Sequence, residues 1–144
     1  MSVKKDERSK GEFLAEAEDI LEDLGRRLAE MDGMVETGSM EPEVVNAVFR
    51  GVHTLKGLSG MFGFEGIASL SHQLEHLLDA LRLGRVEPSR ESVLAVSAAL
   101  DRITVCRAML EEKLAALARR VASPMGMEVV LVELKGGAGR SVVR

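Results

Sequence analysis

The sequence predicts an all-α fold: an antiparallel up-down four-helix bundle, with room for an extra C-terminal helix. Three observations carry this expectation. Apolar residues recur at i, i+3 and i+4 in four separate segments, the spacing of a helix that buries one face. Turn residues divide those segments at short intervals, and short connections between helices favour antiparallel neighbours. The 144 residues include no Trp, no Tyr and four Phe, so the core has to be built from Leu, Val, Met and Ala.

The first segment runs from about Ser9 to Met31, with Phe13, Ala17, Ile20, Leu21, Leu24 and Leu28 on one face and Glu and Arg on the other. It is expected to stop at Met31-Asp32-Gly33. Residues 1–8 are charged, with no apolar stretch behind them, and are expected to be a flexible N-terminus. The second segment opens at Ser39-Met40-Glu41-Pro42, where a serine and an early proline are helix-start signals. Val45, Val48, Phe49, Val52 and Leu55 carry it to about Phe62, and Gly63-Phe64-Glu65-Gly66 forms a corner.

From about Ile67 to Leu83 a third segment places Ile67, Leu70, Leu74, Leu77, Leu78 and Leu81 on its core face, and Gly84 stops it. The fourth starts near Pro88-Ser89. It continues through Val93, Val96, Leu100, Ile103, Met109, Leu110, Leu114 and Leu117 to about Val121, long enough to bend or break in two. Residues 9–122 therefore form the bundle. After Ser123-Pro124 the character changes: 128–134 (EVVLVEL) is β-prone and 135–144 is Gly-rich and basic, so 123–144 is expected to be a linker or an extension.

Composition narrows the function. Apolar residues make up 46% and charged residues 29%, the balance of a soluble globular protein. A net charge of −4 without a Lys/Arg stripe argues against nucleic acid as a partner. No apolar run of membrane-spanning length and no secretory pattern occur, and the single Cys106 has no partner for an internal disulfide. The expectation is a cytoplasmic protein.

The informative stretch is His53-Thr54-Leu55-Lys56-Gly57-Leu58-Ser59-Gly60-Met61-Phe62-Gly63-Phe64. Helical periodicity centres the core face on Val45, Val48, Val52 and Ser59 and sets His53 about 100° from Val52, at the edge of the exposed face. Gly57 and Gly60 fall on the same side, and each costs about 1 kcal/mol relative to Ala inside a helix. They mark either tight helix–helix packing or a surface that something approaches closely. Lys56, three residues from His53, reaches the same neighbourhood. In the third segment His72, Glu75, His76 and Asp79 form a polar stripe opposite the leucines. A carboxylate within reach of His53 would accept a hydrogen bond from one ring nitrogen, fix the tautomer and leave the other nitrogen as a nucleophile.

The run H-T-L-K-G-L-S-G-M-F-G-F, followed by A-S-L-S-H-Q-L-E-H-L-L-D-A-L-R-L-G, resembles a histidine phosphotransfer (HPt) domain, most of all the N-terminal HPt domain of CheA chemotaxis kinases. The resemblance covers about Phe13 to Val121. It implies that His53 is phosphorylated at Nε2, that Lys56 lies beside the phosphoryl group and Gly57 next to it. It further implies that Glu75 accepts a hydrogen bond from His53 Nδ1–H and that His72 belongs to the same network. Leu58 departs mildly from the family pattern.

The implied partners are a histidine kinase ATP-binding domain, which supplies ATP and Mg²⁺, and a response-regulator receiver domain. No cofactor or metal is expected in this chain, and the isolated domain is expected to be monomeric. The chain lacks a P-loop and any kinase ATP lid, so it is expected to be a phosphoryl carrier, with kinase activity in a full-length parent. Two alternatives remain: a free-standing phosphorelay HPt protein and, remotely, a zinc metallopeptidase of the H-x-x-E-H type on His72, Glu75 and His76.

Overall fold

The computed structural model describes residues 3–121, which form four helices. They are α1 (Val3–Thr37), α2 (Pro42–Met61), α3 (Glu65–Arg82) and α4 (Arg90–Val121). Each helix packs on the next in the chain and α1 closes the ring against α4, the up-down arrangement expected. The tail from 122, with its β-prone stretch, lies outside the described residues. Within them no fifth helix occurs, and α4 runs unbroken. No helix among the described residues is long and apolar enough to cross a membrane.

All three connections use one device. Gly38, Gly63 and Gly84 have φ of 73°, 81° and 78°, a left-handed conformation that a Cβ disfavours. At each, the glycine N–H bonds a carbonyl three residues back and the next N–H bonds one five residues back, as in Gly63→Gly60 at 3.2 Å and Phe64→Ser59 at 2.8 Å. This pair of bonds satisfies carbonyls that the helix end would otherwise leave unpaired.

The first helix is longer than its pattern suggests. It begins at Val3, inside the stretch expected to be flexible, where Asp6–Lys10 and Arg8–Glu12 ion pairs at i, i+4 support it. It also passes through Asp32-Gly33, because Met31 is fully buried and Met34 and Val35 pack against the core one turn further on. Proline at its first turn starts α2, while Ser39 makes no capping bond to it. At the start of α4 the bonding is reciprocal: Ser92 N–H donates to Ser89 Oγ at 3.1 Å and Ser89 N–H to Ser92 Oγ at 2.9 Å.

The core follows the predicted stripes through Phe13, Ala17, Leu24, Val48, Val52, Ile67, Leu74, Leu78, Val96 and Ile103, and adds Leu14, which the stripe of the first helix does not include. Phe13 stacks on Phe62 and Phe64, with centroids 5.4 and 5.2 Å away, and so seals the α2–α3 corner. Met109 departs from expectation: it is 65% exposed. The buried stripe of α4 goes from Ile103 to Arg107, and Met109 stands about 200° round the helix from Arg107. Leu70 and Leu77 are half-buried at the edge of their stripe.

Candidate functional site

The site forms where α2 lies along α3, the most extensive helix–helix interface of the bundle. Val48, Val52, Leu55 and Ser59 point inward from α2, which turns His53 outward. The His53 side chain is 63% exposed. Glu75, which periodicity puts on a polar stripe opposite the leucines, is instead buried: α3 places Ser71 and Glu75 together with Leu74 and Leu78 on its inner side.

Glu75 divides its two oxygens between α2 residues. His53 Nδ1 is hydrogen-bonded to Oε2, and Lys56 Nζ donates to Oε1 at 2.7 Å. Burial pushes the Glu75 carboxyl up, but the hydrogen bonds and charges of Lys56 and His53 outweigh it and hold it below the ordinary carboxylate value. The ionised carboxylate thus selects the Nδ1–H tautomer of His53, and Nε2 has no protein partner among the described residues. A ring in this state presents a lone pair to solvent and needs no base to uncover it.

The other expected residues are placed unequally. His72 Nδ1 lies 3.9 Å from Glu75 Oε1, beyond hydrogen-bonding distance, and its ring meets that of His76 edge-on with centroids 4.5 Å apart. It stands beside the network without joining it by a direct bond. Gly57 and Gly60 are exposed, and a Cβ at either would meet no neighbouring atom within 4 Å. Tight helix packing therefore does not explain them. The glycine that α2 needs for packing is Gly51, where a Cβ would come within 2.7 Å of Leu24 Cδ2.

Two residues by the site escaped the sequence analysis. Phe49, assigned only to the core, stacks nearly parallel to the His53 ring at 6.1 Å, and the Arg82 guanidinium sits 4.6 Å from the Phe49 centroid. The i, i+4 spacing of Phe49 and His53 was the available signal for the first.

A four-helix bundle with an exposed imidazole whose inner nitrogen is held by a buried carboxylate matches the arrangement that the resemblance to a histidine phosphotransfer domain implies. Comparison with known families agrees: the Hpt domain family model matches residues 9–117, and the chain belongs to that family. Among curated relatives, chemotaxis protein CheA of Cereibacter sphaeroides is 38% identical over 92 residues, which is 64% of this chain and 13% of that protein. CheA of Halobacterium salinarum is 33% identical over 94 residues, 65% of this chain and 14% of the relative. The chain thus spans about a seventh of the length of these relatives.

The solved CheA phosphotransferase domain from Thermotoga maritima matches with a TM-score of 0.59 at 28% identity, covering 82% of this chain and 99% of that one. The chain is a CheA-like Hpt domain. The metallopeptidase alternative is not favoured. Glu75, which would be its base, is bound by His53 and Lys56, and no group of three or more His, Cys, Asp or Glu among the described residues is placed to hold a metal ion.

Proposed function

We propose that His53 accepts a phosphoryl group from the ATP-binding domain of a CheA-like sensor kinase and passes it to an aspartate of a receiver domain. The observation that carries this is the bond from His53 Nδ1 to buried Glu75, which turns Nε2 outward. In the first step the Nε2 lone pair attacks the γ-phosphorus of ATP. The N–P bond forms as the bond from that phosphorus to the β–γ bridging oxygen breaks, and ADP leaves. The Nδ1 proton stays on the bond to Glu75, whose charge stabilises the cationic ring. In the second step a receiver carboxylate oxygen attacks phosphorus, the N–P bond breaks, and Nε2 recovers its lone pair.

Lys56 lies near enough to offset charge on the phosphoryl oxygens while Glu75 holds its ammonium in place. The open surface over Gly57 and Gly60 gives both partners access to the backbone beside His53. ATP and Mg²⁺ belong to the partner domains, so the chain is a carrier and substrate, acting in the cytoplasm as part of the larger kinase. Incubation with a CheA-type kinase core and ATP tests this. Acid-labile, base-stable label on the wild type, absent from His53→Gln, supports it. Label that survives His53→Gln, or none on wild type with an active kinase, overturns it.

A further inference from the structure

Two residues among the described ones engage the His53 ring, one by a hydrogen bond and one by stacking. Glu75 holds one edge through Nδ1, and Phe49, one turn earlier on α2, lies against the ring with 10° between the planes. A single hydrogen bond at one atom leaves an exposed ring free to swing about that atom. A contact to the ring itself removes this freedom. Phe49 is in turn braced from α3: the Arg82 guanidinium sits over it, and Asp79 one turn earlier pairs with Arg82. Asp79, Arg82, Phe49 and His53 thus form a continuous chain across the α2–α3 groove, on the opposite side of the imidazole from Lys56 in the α2 sequence.

We propose that Phe49, braced by Arg82, is a positioning residue for the phosphoryl-accepting imidazole, fixing the direction in which Nε2 points. The proposal rests on the assignment of His53 as the acceptor. Attack on phosphorus requires the lone pair to lie in line with the leaving oxygen, and small misalignments of reacting atoms cost large factors in rate. Glu75 sets which nitrogen is free; Phe49 sets where it points. The size of an aromatic stacking contact sets the expected effect of losing it at about three- to tenfold in rate.

The test compares Phe49→Leu, Phe49→Tyr and Arg82→Ala in two measurements. One is phosphorylation by a CheA-type kinase core, resolved into kcat and KM. The other is the imidazole nitrogen NMR spectrum of His53, which reports tautomer and ring order without any phosphotransfer. Phe49→Leu is expected to lower kcat about three- to tenfold at unchanged KM and to reduce the order of the His53 ring in the imidazole spectrum while the Nδ1–H tautomer, set by Glu75, persists. Phe49→Tyr restores both. Arg82→Ala, at a side chain 39% exposed, gives the same changes at smaller size and serves if Phe49→Leu fails to fold.

A folded Phe49→Leu with wild-type kcat overturns the proposal. So does a slower variant whose imidazole spectrum is unchanged, because Phe49 then acts through packing or docking. A wild type that takes no label overturns the acceptor assignment instead, and the imidazole spectrum then decides the ring-positioning claim by itself.

Discussion

Glu75 and Arg107 are buried to a similar degree, 8% and 6% exposed, at two different helix interfaces, yet they do opposite jobs. Glu75 sits between α2 and α3, and its bonds lead outward to the exposed His53 and to Lys56. Arg107 bridges α4 and α1. It donates to the Leu14 carbonyl at 3.2 Å and to Glu111 at 2.9 Å, with Glu18 3.9 Å away. Its bonds lead to a backbone carbonyl and to two carboxylates that are more than half exposed. A buried charge is therefore informative about chemistry through what its partners can do, and burial alone does not separate a site from a brace.

Substitution should separate them sharply. Glu75→Gln keeps the shape but loses the charge that fixes the His53 tautomer, and phosphorylation is expected to slow about 10- to 100-fold. Arg107→Met should leave the rate per folded molecule unchanged while lowering unfolding free energy by about 1–3 kcal/mol in urea titration. Equal rate losses in both variants would erase the distinction.

The glycines of α2 offer a second contrast, of smaller size. Gly51→Ala pushes a methyl towards the buried Leu24, and the overpacking should exceed the helix gain, for a net loss of about 1 kcal/mol. Gly57→Ala meets open space and should stabilise by about 1 kcal/mol in the same titration, while raising the KM for the kinase core if that surface is used for docking.

The smallest effect concerns pH. The Glu75 pKa is lowered on folding below the ordinary carboxylate value, so its contribution is fully present above that ordinary value and is lost as pH falls through the lower, folded one. Glu75→Gln should flatten the acid limb of the stability curve in that window. Arg107→Met should leave its slope unchanged.

How far the sequence foretold this follows from what periodicity can encode. The stripes Val45–Val48–Val52 and Leu74–Leu78–Leu81 locate both core faces, and His53 falls outside them by angle alone. Gly63 and Gly84 stand at the predicted corners. Gly33 does not stop α1, because a glycine ends a helix only where the apolar stripe also ends, and here Met34 and Val35 continue it. Glu75 falls on the polar stripe opposite the leucines because it stands one residue from Leu74 among polar neighbours. Its burial depends on how α3 rolls against α2, which no single helix records. The packing role of Gly51 and the Arg82–Phe49 contact are likewise properties of helix pairs.

One feature of the fold, the unequal length of its helices, bears on how the molecule breathes. At 1.5 Å per residue α1 is about 52 Å long, against about 30 Å for α2. Both α1 and α4 overrun the Phe62–Phe64 corner, so the bundle has four helices around the core and two beyond it. On that overhang Gly11 meets Leu114, and the buried apolar positions have already ended at Phe13 and Ile103. Amide exchange should therefore be fast at this end and slow around Val52 and Leu78. Local opening of the two-helix end then leaves His53 in register, and the domain can fray where it extends without losing the geometry that makes its imidazole a carrier.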